Sequence, residues 1–368
     1  MIISPLFTAI RAQFGQSSHI GFLFTGYSWT AGLSVLVWGP LSDKFGRKSG
    51  LLTGLIIFGV GSSVSCLAAG FSVLLAGRVL TGMGASMLSL NAISYAADYF
   101  PYDRRGWAMG AIFSSYFAAL ILALPLGIWL GEKFGWNAVF GALGGAAIVL
   151  LVTIRRGIPF SPNKERGSFK FPKIEYLRQY KSFLKGRSTL FALLSSLFAS
   201  AGTMGFIAFL VVWLHDSFKI TGGKVSLIFM ICGAAALLAS PVAGSIADRI
   251  GKRLQFILSC ISLAVFLFIL PELRWGAALF AVFGLISLSA AFRQGPMEAI
   301  LTEIVHSSSR GAFVALKNSF SQLGIGLAAF FSDFLFKHYG YSGVCILGAI
   351  SNLLAAGFML FTLREKRL

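Results

Sequence analysis

Acidic residues are scarce in this chain: 13 Asp and Glu stand against 31 Lys and Arg in 368 residues. Charged residues make only 12% of the total, about half the share usual in a soluble globular domain. Hydrophobic residues make 56%, with a mean hydropathy of +0.80. Such a composition excludes a water-soluble enzyme, a disordered chain and a coiled coil. The four cysteines (Cys66, Cys232, Cys260, Cys345) are far apart in apolar runs, which excludes a disulfide framework and a thiolate metal site. His19, His215, His306 and His338 are scattered, so no zinc motif exists. No Gly-x-x-x-x-Gly-Lys-Ser/Thr loop, nucleophile–base spacing or filter-like ring is present. The opening "MIISPLFTAIR" lacks a basic region and a small-residue cleavage site, so no signal peptide is expected.

What is abundant is long apolar segments. They fall near 20–41, 49–69, 72–97, 106–131, 136–154, 189–214, 223–246, 254–271, 275–299, 311–336 and 341–363. Each is long enough for about 20 residues of bilayer span. None alternates as a membrane β-strand would. The chain is therefore expected to be an all-α polytopic membrane protein with eleven full spans. Residues 1–10 form a short apolar stub before them.

The longest polar stretch, 155–188, holds ten basic residues and two acids. It is expected to be a linker with an interfacial helix near 174–184. With the linker inside, twenty-two Lys and Arg fall on its side, six on the other and three within spans. That asymmetry places the linker and the C-terminus in the cytoplasm of a cell-membrane protein. It also accounts for the net charge of +18 without nucleic acid. The lipid bilayer is the expected partner, and a monomer is the expected state.

A repeat runs through the chain. "GPLSDKFGRK" from Gly39 returns as "GSIADRIGKR" from Gly244, an offset of 205. The same offset pairs Asp98 with Glu303, Arg105 with Arg310, and Gly135-Trp136 with Gly340-Tyr341. Two parallel copies of a six-span unit are implied: an N-terminal bundle over 1–154 and a C-terminal bundle over 189–368. Subtracting 205 from the seventh span places the first span's start about fifteen residues before Met1, so the first helix is expected to be truncated.

Gly39, Asp43, Gly46, Arg47 and Lys48, copied at Gly244, Asp248, Gly251, Lys252 and Arg253, resemble the loop signature of the major facilitator superfamily. The resemblance covers nearly the whole chain. It implies two pseudo-symmetric six-helix bundles that move a small molecule by alternating access, with no cofactor and no enzymatic reaction. The glycines would allow close helix approach, and Asp43 would accept N–H groups of a helix start. Arg47 would pair with Asp98, and Glu303 with Arg310, as a latch.

Arg78, Gly82 and Gly84 resemble the fourth-span motif of proton-coupled members. Pro125, Gly127 and Gly131 resemble the fifth-span motif of the drug and sugar-efflux branch, with Leu124 and Asn137 departing from it. Proton-coupled efflux of a small organic solute is the implied activity. Uptake by symport, with an anionic solute, and an inactive remnant stay open. Protons or another ion would be the coupling partner.

Charged residues inside spans are costly and point to function. Arg78, Arg293, Glu298 and Lys317 are of this kind, with Lys317 expected to pair with Glu298 or Glu303. Asn91, Tyr116 and Gln322 join them as candidate cavity residues. The first half offers no carboxylate deep in a span.

Overall fold

A computed structural model of the chain describes residues 3–15, 21–100, 112, 115–116, 118–159, 173–220, 222–306 and 309–362. Inside its helices, nothing is described of the side chains of Thr8, Pro40, Asp43, Lys44, Ala97, Ser240, Pro241, Thr302 and residues 173–177. The described residues form helices and no strands. A bilayer demands this, because a helix satisfies its backbone N–H and C=O groups within one segment.

In chain order the helices are α1 (Ile3–Phe14), α2 (Gly21–Phe45), α3 (Arg47–Cys66), α4 (Phe71–Tyr99), α5 (Leu124–Phe134, preceded by a π-helical turn at Ala119–Ala123) and α6 (Trp136–Gly157). Then follow α7 (Lys173–Lys185), α8 (Arg187–Phe218), α9 (Gly223–Ile250), α10 (Lys252–Ile269), α11 (Ala277–Glu303) and α12 (Arg310–Phe361). Among the described residues, seven helices are long and apolar enough to cross a membrane, or up to eight when the bent pair Gly223–Ala239 and Val242–Ile250 counts as one span. That pair bends by 50° at Ser240-Pro241, where proline has no N–H to continue the ladder. α12 is two helices meeting at Gly340, so its 52 residues are a first and a second arm.

The joints carry the repeat into three dimensions. Gly46 (φ 86°) turns α2 into α3, and Gly251 (φ 93°), 205 residues on, turns α9 into α10. Gly135 (φ 86°) turns α5 into α6, and Gly340 (φ 65°), again 205 residues on, joins the arms of α12. A side chain would be strained at each of these left-handed joints, so glycine lets one helix end and the next begin without a loop.

Within the first half α3 packs on α4 and α6, and α2 on α4. Within the second half α11 packs on α9 and α10, and α12 on α8 and α10. The halves meet along α1·α8, α2·α12 and α5·α9. α1 and α8 hold equivalent places in the repeat, and the Ser4 hydroxyl donates to the carbonyls of Ile207 (2.8 Å) and Ala208 (3.0 Å), two and one residues short of Ser4's own repeat position.

The two ends of the molecule differ. At the end opposite the linker, one buried apolar cluster runs through both halves, from Ile3, Phe7 and Ile10 through Leu23 and Phe140 to Phe209, Leu214 and Tyr341. Phe7 touches the rings of Phe24 and Phe209, and Trp213 stacks on Tyr341 at 4.5 Å. At the linker end a separate cluster around Phe256, Leu301, Phe313 and Met359 draws its buried members from the second half and α7 alone. α7 docks there by placing Phe183 edge-on to Phe313 at 5.2 Å.

Candidate functional site: two motif staples and an intramembrane ion pair

The motif loops sit at the linker end. Arg47 at the start of α3 holds Asp98 at the end of α4 (3.1 Å) and donates to the Ser42 hydroxyl of α2 (2.9 Å). Ser42 donates in turn to Asn91, whose amide nitrogen reaches the Met87 carbonyl at 2.8 Å. Asn91 is fully buried. Lys48 is buried too, and its ammonium binds the carbonyl of Arg155 at 3.0 Å, in the last turn of α6. A cation there complements the negative helix end.

In the second half the ion pair recurs as Lys252 with Glu303, each 205 residues beyond Arg47 and Asp98. The sequence reading pairs Glu303 with Arg310. Arg310 is exposed instead, as are Arg253 and Asp248, and Glu303 is held by Lys252. Applying the repeat offset to Arg47 itself points to Lys252. The side chain of Asp43 and all of Arg105 lie outside the described residues. Both ion pairs stay within one half: Arg47 ties α2, α3 and α4 together through Ser42 and Asp98, while Lys252 and Glu303 tie α10 to α11.

Gly39 and Gly244 do not serve close approach here, since a Cβ at either meets no described atom within 4 Å. Close approach is provided by Gly82 and Gly84 of α4. A Cβ there would lie 2.3 Å from the Tyr27 carbonyl and 2.5 Å from the Phe58 nitrogen.

A buried amide ties the linker-end junction in each half, but from opposite helices. In the first half it is Asn91 of α4, lying where a Cβ on Gly50 would be (2.4 Å). In the second it is Gln255 of α10, at the position equivalent to Gly50, donating to the carbonyls of Ala243 (2.9 Å) and Phe292 (3.0 Å). Beside Asn91 a cleft of about 240 Å³ opens between α2 and α3, lined by Trp38, Ser42, Ser49, Thr53 and Met87.

The intramembrane charges fall in three places. Arg78 is buried in the first half with its guanidinium 4.5 Å from the Tyr27 ring centre and 5.9 Å from that of Phe140. Its Nε has no hydrogen-bond partner among the described residues. Arg293 is buried within the second half and donates to Asn352 and Thr203, both at 2.5 Å. Sequence reasoning missed Asn352 and Thr203, because no spacing links them to Arg293. Lys317, buried on the first arm of α12, pairs with Glu298 of α11 at 2.5 Å, and Gln294 adds a 3.3 Å hydrogen bond to the same oxygen. Of the two acids open to Lys317, Glu298 is the one it takes.

Gln322 lies on the α2·α12 seam, its Cβ 3.0 Å from where a Cβ on Gly32 would be. Tyr116 is exposed, and Pro125 follows the π-helical turn of Ala119–Ala123. Phe206 and Trp213 are packed into the far-end core.

A family model described as Major Facilitator Superfamily matches residues 1–210 and again 192–368. The uncharacterized MFS-type transporter YwfA of Bacillus subtilis (strain 168) is 29% identical over 383 aligned positions, covering all of this chain and 88% of that protein. The uncharacterized MFS-type transporter YbcL of the same organism is 23% identical, covering all of this chain and 93% of its own length. The crystal structure of a D-xylose–proton symporter shares the fold with a TM-score of 0.82 at 17% identity, over 99% of this chain and 94% of that one. With both sequence repeats matched by the same family and the whole helical scaffold superposing on a solved transporter, this chain belongs to the major facilitator superfamily of integral membrane transporters.

Proposed function

We propose that the protein is a secondary active transporter that exports a small organic solute in exchange for protons, by rocking two bundles about a central site. The observation that carries the alternating-access part of this reading is the one-sided apolar seam; export in exchange for protons rests on the fourth- and fifth-span motif resemblance. The halves share a core at the far end, while at the linker end the buried core belongs to the second half, with Leu36 of the first half packed against its edge. That is what one closed and one open gate require of a two-bundle machine. The rocking units are residues 1–154 and 189–368, joined by 155–188. The positive-inside asymmetry supports a cytoplasmic linker and C-terminus in the cell membrane, so the open gate faces the cytoplasm.

Glu298 is the proton carrier in this reading. Its pairing with buried Lys317 gives a proton something to break: neutralising the carboxylate releases the ammonium and changes what holds α11 to α12. Arg47, Asp98, Lys252 and Glu303 keep each bundle rigid while the bundles move. Arg78 supports the second reading, a symporter of an anionic solute, because no acid is paired with it among the described residues. Lys317 and Arg293 support it less, since one is neutralised by Glu298 and the other is held inside the second half.

Counterflow in proteoliposomes tests the proposal. Preloading with unlabelled solute should drive accumulation of labelled solute, and an imposed proton gradient should drive net movement opposite to the protons. Accumulation with the protons would establish symport instead. Absence of counterflow across a panel of sugars, drugs and organic anions would reject transport.

A further inference from the structure

Glu132 is the last acid of α5, on the first half, and its carboxylate lies against Gly222, the residue that precedes α9 on the second half. A Cβ built on Gly222 would sit 2.5 and 2.7 Å from the two carboxylate oxygens. The site is thus open only because residue 222 is glycine. Gly222 has φ 53° and ψ −115°, and its carbonyl accepts the first helical bond, from Ser226 at 2.9 Å. The leading N–H groups of α9 have no helical acceptors and mark the positive end of the helix, beside which the carboxylate lies.

The other peripheral crossing has a related arrangement with the halves exchanged. Asp333 of α12, on the second half, packs its Cβ 2.9 Å from where a Cβ on Gly21 would be, at the first described residue of α2. Its carboxylate is held by Lys337 at 2.9 Å, and Lys337 is the repeat position of Glu132.

We propose that Glu132 is a gate-closing residue: carried by one bundle and docked on the start of α9 in the other, it holds the far end shut. The inference rests on the alternating-access reading above. Glu132 is solvent-exposed, so the contact is weak enough to break in every cycle. Its loss should raise the ratio of far-open to far-closed protein about two- to fivefold.

The test is a pair of spin-label distances in proteoliposomes, in full-length protein with the four native cysteines replaced by alanine and counterflow retained. Labels at Leu67→Cys and Arg274→Cys report the far end, and labels at Arg156→Cys and Leu254→Cys the linker end. Glu132→Gln and Glu132→Ala should both enlarge the long-distance population at the far end, while Glu272→Gln, an exposed far-end acid, should not. An unchanged distribution in both Glu132 variants, or an equal shift in Glu272→Gln, overturns the proposal. If the far end opens without the linker end closing, Glu132 still seals the seam, but the alternating-access reading fails.

Discussion

At the scale of single residues, function concentrates where a charge is buried beside one partner. Lys317 keeps 7% of its side chain exposed and Glu298 33%. Glu298→Gln leaves a buried ammonium without its counter-charge. It should cost about 2 kcal/mol of stability, less than the roughly 3–5 of a fully buried pair because the acid is partly solvated. Thermal unfolding in detergent would show the loss, and Glu298→Gln with Lys317→Met should recover most of it. In transport, both single variants should lose the dependence of solute exchange on the proton gradient. A second residue-scale prediction follows from the exchanged amides. Gly50→Ala drives a methyl into Asn91 and should cost about 1–3 kcal/mol. Asn91→Ala on top of it should restore stability, which unfolding of the double variant would reveal. Much of this layer was hidden in the sequence. Arg47 and Asp98 could be paired because the repeat fixed both at helix ends. The partners of Arg293 could not, since a donor within a helix can face any of several neighbours, and only packing decides which.

At the scale of elements, the joints were the most legible and the seams the least. Glycine at 46, 135, 251 and 340 marks helix boundaries in the sequence because only glycine accepts those φ values cheaply. The π-helical turn before Pro125 left no such mark. Proline supplies no N–H to the carbonyl four residues back, and Leu124 bonds Ala119 five residues back instead. That turn packs on Gly233 of α9, where a Cβ would sit 2.8 Å from Ile121. Pro125→Ala restores the missing N–H and should let the turn relax towards α-helix, turning the α5 face away from Gly233. Exchange should slow while protein abundance in the membrane stays constant, a comparison that flux assays and immunoblotting make directly. A helix within the linker was legible from its basic and apolar residues, but its attachment was not. Phe183→Ala should remove about 3 kcal/mol of packing against Phe313 and free α7. Faster tryptic cleavage at Lys181 and Lys185 would register the release.

At the scale of the whole molecule, the repeat predicted two like halves, and the packing shows how unlike their two ends are. Thr25 is buried on the α2·α12 seam and donates to the Gly326 carbonyl at 2.9 Å. A membrane-impermeant thiol reagent should therefore label Thr25→Cys only while the far end is open, and solute that drives cycling should raise the labelling rate. The shared apolar cluster has a thermal consequence. Opening the far end brings Phe7, Leu23, Phe209 and their neighbours into contact with water, whereas the linker end that closes in exchange carries the charged motif loops. Exposing apolar area raises heat capacity, and the force holding such area together weakens on cooling. The balance between the two orientations should therefore curve with temperature, with the cold protein spending more of its time open at the far end.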